Sequence, residues 1–116
     1  MFYVGIIGTD GAKNYQTFKE RCIYYLRSRA KDGITIVSVE ENDYISRFAS
    51  EFRINVQLIP ADWYTYGRDA LKAQSQQLVK MCNGIISFED GRKNTAVIKK
   101  FASESGVPVR SVKKSI

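Results

Sequence analysis

The side chains that could perform acid–base chemistry in this chain are carboxylates, lysines, tyrosines and thiols, because histidine is absent. The Ser-His and Cys-His schemes of nucleophilic catalysis are therefore excluded. Cys22 and Cys82 lie far apart without a spacing motif, so they predict neither a zinc site nor a disulfide framework. Three carboxylates cluster at Glu40, Glu41 and Asp43. Paired carboxylates can cleave a glycosidic bond. The alternative, which we favour, is a solvated cluster that caps the following helix.

A second group of residues has the types that bind phosphate. Arg92 and Lys93 stand just before Asn94 and Thr95, where a helix is predicted to begin. Exposed backbone N–H groups and positive charge at a helix start favour an anion. The alternative is that Asn94 and Thr95 only cap the helix.

A third group is aromatic. Trp63, the only tryptophan, stands beside Tyr64 and Tyr66 in a predicted loop. These rings could stack on a base or form a dimer surface. The alternative is that Trp63 pins the loop against the sheet and that only a tyrosine faces solvent. Asp62 could accept a hydrogen bond from a ribose hydroxyl or cap a turn.

The elements that must position these groups alternate between apolar runs and amphipathic segments. Predicted strands cover residues 2–7, 34–39, 54–59, 84–88 and 107–112. Predicted helices cover residues 15–29, 45–52, 68–81 and 95–105, with Phe52 and Leu71 among the inward positions. Such alternation predicts an α/β protein with a Rossmann-like, doubly wound, parallel five-stranded sheet between two helical layers. Ligands of this fold bind beyond the carboxyl ends of the strands. The loops there are Gly8–Asn14, Val39–Asp43, Pro60–Gly67 and Glu89–Thr95.

Length and charge set broader limits. The 116 residues predict a single domain covering 1–116. A formal charge of +6 suits either a phosphate-bearing partner or a solvated surface with excess lysine, including a charged tail at Lys113 and Lys114. No apolar run approaches the roughly 18 residues of a membrane span. We therefore expect a soluble, cytoplasmic protein without a membrane partner.

Three stretches carry a resemblance to a known family. They are PADWYTYG at Pro60–Gly67, GIISFEDG at Gly84–Gly91 and GVPV at Gly106–Val109. In their order and spacing the chain resembles, over nearly its whole length, the YspA-related subgroup of the SLOG superfamily. That superfamily also includes the LOG phosphoribohydrolases and the DprA/Smf single-stranded DNA-binding proteins. The resemblance implies a Rossmann-like domain that binds nucleotides or their derivatives, that is frequent in phages and plasmids, and that commonly pairs as a homodimer.

The chain departs from this family in the loops that would touch a ligand. Gly8-Thr9-Asp10 stands where relatives have Gly-Ser-Arg, and Val39–Asp43 replaces a longer glycine-rich loop. Gln74-Ser75 replaces Arg-Asn, and Asn94-Thr95 replaces Gly-Thr. Carboxylates repel an anion, so the loop after the second strand is not expected to bind phosphate.

Asp10 is the most unusual of these replacements, because an acid stands in the position of an arginine. We expect it to pair with Lys13 or Arg68, or to accept a hydrogen bond from a neutral ligand group.

The resulting hypothesis is a non-catalytic protein that binds a nucleotide or nucleotide derivative and needs neither a cofactor nor a metal. In a phage or mobile element it would sequester or sense a nucleotide signal. The predicted contacts are Gly8, Thr9, Asp10, Trp63, Tyr66, Arg92, Lys93, Asn94 and Thr95. One alternative is a LOG-like phosphoribohydrolase in which Glu40 or Glu41 assists departure of the base. Another is an interaction module with a decayed pocket, in which residues 63–66 and basic side chains hold a protein or single-stranded DNA.

Overall fold

All five strands of the computed structural model, which describes residues 1–113, lie parallel in one sheet. The strands are β1 (Phe2–Ile7), β2 (Ile34–Ser38), β3 (Asn55–Leu58), β4 (Gly84–Phe88) and β5 (Val109–Val112). Their order is β3-β2-β1-β4-β5. Lys114 lies outside the described residues. The predicted Rossmann-like α/β fold is confirmed, with β2, β3 and β5 somewhat shorter than their apolar runs.

The helices cover both faces of this sheet. They are α1 (Tyr15–Leu26), α2 (Asp43–Phe52), α3 (Trp63–Tyr66), α4 (Ala70–Met81) and α5 (Lys93–Ser105). One core lies between the sheet and the α1–α2 layer, and the other between the sheet and the α4–α5 layer. The longest of these helices has 13 residues. No helix within residues 1–113 is long and apolar enough to cross a bilayer.

Two local predictions need correction. α1 stops at Leu26 and continues as a 3-10 turn over Arg27–Asp32, because the polar sequence of that turn offers no apolar stripe for the sheet to bury. The segment expected to be only a loop contains the short helix α3.

The core is built from the apolar positions that the periodicity indicates. Phe18 of α1, Phe48 of α2 and Phe88 of β4 are fully buried, with the Phe18 and Phe88 ring centroids 5.2 Å apart. Burial of each such ring stabilises the fold by about 1.5–3 kcal/mol. The inward placement of Phe52 and Leu71 is wrong, because these side chains are 43% and 44% exposed near the ends of their helices.

Candidate functional site

The cleft between the carboxyl ends of β1 and β4 is the strongest candidate site. The chain crosses to opposite faces of the sheet from these two central strands, so their turns diverge at a topological switch point. The cleft has a volume of about 70 Å³. Five predicted contacts line it, namely Gly8, Thr9, Arg92, Asn94 and Thr95. Since ligand pockets usually span roughly 300–1,000 Å³, the cleft admits one small group of a ligand rather than a whole nucleotide.

The glycines of the turn after β1 serve close packing against the turn after β4. A Cβ atom on Gly8, whose φ is +70°, would lie 1.9 Å from the carbonyl oxygen of Phe88. A Cβ atom on Gly11 would lie 2.4 Å from the carbonyl oxygen of Glu89. Real Cβ atoms do not approach oxygen this closely, so both positions require glycine. The space that a Cβ atom on either glycine would enter is already occupied by the backbone of the turn after β4.

Asp90 shapes the turn that leads into α5. Its Oδ1 accepts a hydrogen bond from the Arg92 N–H at 2.9 Å, and its Oδ2 accepts one from the Thr95 hydroxyl at 3.1 Å. α5 begins at Lys93, so Asn94 and Thr95 lie inside the first turn and the prediction that they cap it is wrong. Within residues 1–113, no side chain caps this helix at the Arg92 position. The N–H groups of a first helical turn have no partner within the helix and can receive an anion.

An ion pair joins the turn after β1 to the turn after β4. The Asp10 Oδ2 and Arg92 Nη2 atoms are 2.6 Å apart, and both side chains are more than half exposed. Asp10 therefore pairs with Arg92, and the prediction of Lys13 or Arg68 as its partner is wrong. The main cation of the cleft is thus neutralised by a carboxylate of the same chain.

Thr9 forms the wall of the cleft opposite Arg92. Its side chain is buried, and its hydroxyl accepts a hydrogen bond from Asn42 Nδ2 at 2.7 Å. Asn42 Oδ1 in turn accepts from the N–H groups of Tyr44 and Ile45, at 2.9 and 3.3 Å, and so caps α2. The prediction that carboxylates cap this helix is wrong, because the amide of Asn42 does so. Sequence reasoning missed Asn42, although an Asn before an amphipathic run is a recognised cap signal.

A wider, acidic depression adjoins the cleft at Thr9. It has a volume of about 440 Å³ and its polar lining includes Asp10, Glu41 and Asp43. The four predicted rim loops together carry seven acidic and three basic side chains, a formal charge of −4, although the whole chain carries +6. The overall charge therefore gives no support for a polyphosphate at this end of the sheet. The basic excess lies elsewhere.

The aromatic residues are not brought to the cleft. α3 follows β3, which is separated from β1 by β2. Trp63 and Tyr66 are 58% and 52% exposed and line neither hollow, so the idea that Trp63 holds the loop in place is wrong. Asp62 Oδ1 accepts a hydrogen bond from the Thr65 N–H at 3.0 Å, which confirms the turn-capping interpretation and lowers the pKa of that carboxyl. Lys93 is exposed on the first turn of α5 and also stays outside the cleft lining.

Two polar residues of α4 act structurally where the resembled family has Arg-Asn. The Gln74 amide donates to the carbonyl oxygens of Val39 and Ile59, at 3.0 and 2.8 Å, and so ties the loops after β2 and β3 together. The Ser75 hydroxyl donates to the Leu71 carbonyl at 2.9 Å. Gln74 is the clearest residue that sequence reasoning missed. Its signal is an amide on the buried face of an amphipathic helix.

Several chemistries lack the side chains they need. Burial raises the pKa of both Cys22 and Cys82 to about 12, so neither thiol is a nucleophile at neutral pH. In the part of the chain that the structure describes, no group of three or more histidine, cysteine or carboxylate side chains could hold a metal ion.

Comparison of the chain with family models, curated proteins and solved structures finds no match in any of the three. The resemblance to the YspA-related subgroup therefore stays a prediction.

Proposed function

We propose that the cleft binds a nucleotide or nucleotide derivative without transforming it. The observation that carries the proposal is the pairing of Arg92 and the uncapped start of α5 on one wall with the buried Thr9 hydroxyl on the other. A phosphate group there would accept hydrogen bonds from backbone N–H groups at the start of α5. It would also replace Asp10 as the partner of the Arg92 guanidinium. Since Thr9 accepts from Asn42, its own hydroxyl hydrogen remains for the ligand.

The charge around the cleft narrows the proposed ligand. The cleft volume of about 70 Å³ suits one phosphate group, and the rest of the molecule would lie over the acidic depression. Carboxylates there accept hydrogen bonds from ribose hydroxyls and amino groups but repel further phosphates. The proposed ligand therefore carries few negative charges and several hydrogen-bond donors.

Calorimetry with nucleoside mono-, di- and triphosphates, cyclic nucleotides and ADP-ribose tests this proposal. We expect monophosphates to bind more tightly than triphosphates. Arg92→Gln should weaken monophosphate binding about tenfold or more, since a charged hydrogen bond contributes about 1.5–3 kcal/mol. Lys100→Gln, which removes the same charge from the same helix but outside the cleft lining, should not. Absence of heat with every compound, or equal losses in the two variants, would contradict the proposal.

Asp10→Asn provides a test in the opposite direction. This substitution removes the internal competitor for Arg92 and should tighten monophosphate binding. Asp69→Asn is the matched control, because it removes the same charge from an exposed residue that does not line the cleft. Equal effects of the two substitutions would mean that only net charge matters.

A second candidate, cleavage of an N-glycosidic bond, is favoured by one observation. Glu40 lines the cleft, where a carboxylate could assist departure of a base. Incubation of nucleoside monophosphates with pure protein would release free base if this candidate is correct. Glu40→Gln should abolish the release.

The resemblance to the YspA-related subgroup also suggests where such a protein would act and how it would assemble. We propose a phage or mobile-element protein that sequesters or senses a nucleotide signal in the cytoplasm. We further propose that it pairs with a second copy through the exposed rings of α3, where Tyr64 is fully exposed. Sedimentation of the wild type and of Tyr64→Ala tests the pairing, and a monomeric wild type would exclude it.

A further inference from the structure

Three arginines lie towards the other end of the sheet, away from the carboxyl rim. Arg27 and Arg29 lie in the 3-10 turn after α1, and Arg110 lies on the edge strand β5. All three are exposed. None of the three forms an ion pair within residues 1–113. Three unneutralised guanidinium groups thus share one region of the surface.

Two adjoining hollows make this region concave. One, of about 180 Å³, has an apolar floor that includes Phe2, Val4 and Ile86, and its rim includes Arg29. The other, of about 650 Å³, is lined by Tyr24 and Arg27 among others. Both hollows are lined by Tyr25, Ser28 and Arg110, so they form one continuous groove. Among residues 1–113, no acidic side chain lines either hollow, in contrast to the carboxyl rim.

Aromatic rings hold two of the arginines in place. The Arg27 Cζ atom lies over the ring of Tyr24, 4.5 Å from its centroid, and the Arg29 Cζ atom lies 4.9 Å from the centroid of Phe2. Such cation–π contacts hold each guanidinium in position before an anion binds, so less conformational entropy is lost on binding. Tyr24 is 52% exposed, and its ring meets that of Tyr25 edge to face. The groove therefore offers planar and cationic surfaces side by side.

We propose that this arginine groove, formed by Tyr24, Tyr25, Arg27, Arg29 and Arg110, binds single-stranded nucleic acid. Phosphates would contact the guanidinium groups, while bases would stack on the tyrosines and guanidinium planes and enter the apolar-floored hollow. A duplex hides its bases and would leave the apolar floor uncovered. An acidic protein segment would match the charge but not the flat aromatic surfaces. The groove is separate from the β1/β4 cleft, so either site can exist without the other.

Fluorescence anisotropy with a labelled oligothymidylate of about 12 nucleotides tests the proposal, since such sites cover about 4–16 nucleotides. Three phosphate contacts predict a slope of log K against log salt of about −2, which is an affinity loss of about 20-fold between about 50 and about 200 mM salt. The triple variant Arg27→Gln, Arg29→Gln, Arg110→Gln should lose most of the binding and nearly all of the slope.

A matched triple variant controls for net charge. Lys72→Gln, Lys80→Gln and Lys100→Gln remove the same three charges from exposed positions on α4 and α5, across the sheet from α1. This variant should keep the wild-type slope and nearly all of the affinity.

Two single variants separate stacking from charge. Tyr24→Ala should weaken binding about tenfold without changing the slope, because it removes a stacking surface and no charge. Arg27→Lys keeps the charge but removes the planar guanidinium on which a base would stack. It should therefore weaken binding and leave the salt slope of log K unchanged. Circular dichroism establishes that each variant is folded, and the two single variants test the groove even if the triple variant unfolds.

Four results would overturn the proposal. They are absence of wild-type binding at low salt, equal losses in the two triple variants, equal affinity for a duplex of the same length, and binding of polyglutamate in place of the oligonucleotide. Loss of nucleotide binding at the cleft, with the oligonucleotide results as expected, would affect only the proposed function above.

Discussion

Three glycine-to-alanine substitutions test whether the turns after β1 and β4 are packed together as closely as the structure indicates. At Gly8 the new Cβ meets backbone oxygen at 1.9 Å and the backbone has a φ of +70°. At Gly11 the Cβ meets backbone oxygen at 2.4 Å without a positive φ. At Gly91 φ is +73°, but within residues 1–113 no heavy atom beyond the adjoining residues lies within 4 Å of the new Cβ. The three sites thus separate the free-energy cost of a steric clash from the free-energy cost of a left-handed backbone.

The expected magnitudes follow from those two costs. A left-handed conformation costs a residue other than glycine about 1–2 kcal/mol, and forcing extra atoms into a packed region costs typically about 1–3 kcal/mol. Gly91→Ala should therefore lower the free energy of unfolding by about 1–2 kcal/mol and Gly11→Ala by about 1–3 kcal/mol. Gly8→Ala, which combines both costs, should lower it by about 2–5 kcal/mol.

Urea denaturation followed by circular dichroism measures these differences. With a denaturant slope of about 1.5 kcal/mol/M, a loss of 3 kcal/mol would lower the urea midpoint by about 2 M. The close packing would be contradicted if Gly8→Ala lowered the free energy of unfolding no more than Gly91→Ala, or if Gly11→Ala left it unchanged. Either result would mean that the two turns are farther apart than the structure shows, which would also change the shape of the cleft.

Four further predictions concern hydrogen bonds and protons. Ser87→Ala should raise the free energy of unfolding or leave it unchanged, because the buried Ser87 hydroxyl has no hydrogen-bond partner among residues 1–113. Ser38→Ala should lower the free energy of unfolding by about 1 kcal/mol, because it removes the 2.7 Å hydrogen bond to a backbone carbonyl. Urea denaturation of both variants compares them. Asn42→Ala removes three hydrogen bonds, two of which cap α2, and should lower the free energy of unfolding by about 1–2 kcal/mol, measured in the same way. Burial and the 2.7 Å hydrogen bond to Glu51 raise the pKa of Tyr15 from 10.0 to about 12, so the stability that this tyrosine contributes is present below pH 10.0 and is lost as the pH rises towards 12. The hydrogen bond from a lysine and that from Tyr15 lower the pKa of Glu51, so its contribution is present above the ordinary value of 4.5 and is lost as the pH falls through the lowered pKa. Ultraviolet titration of tyrosinate, compared with Tyr15→Phe, checks the first shift, and urea midpoints below pH 4.5 for wild type and Glu51→Gln check the second.

The fold could be predicted from the sequence because its signals are local. Each strand is a short apolar run and each main helix has apolar residues at helical spacing, so alternation alone indicates a parallel sheet covered on both faces. The ends of elements were less predictable, since they depend on tertiary contacts. The apolar run through Ile59, for example, extends beyond β3, although that residue is buried and donates its N–H to Ser38 of β2.

The candidate site was only partly predictable, because its geometry depends on contacts between distant segments. The position of the cleft follows from strand order, and Gly8, Thr9 and the start of α5, which the sequence indicates as ligand contacts, line it. The ion pair of Asp10 with Arg92 joins residues more than eighty positions apart, and no local pattern encodes it. The same holds for Gln74, whose role depends on two loops that meet only in the folded protein.

The most direct test of the central claim is an amide NMR titration of the full chain with a nucleoside monophosphate. If the cleft binds the phosphate group, the largest saturable shifts will fall on Thr9, Arg92 and the first-turn amides of α5, and Arg92→Gln will abolish them. Shifts confined to the arginine groove, or none that saturate, would contradict the claim.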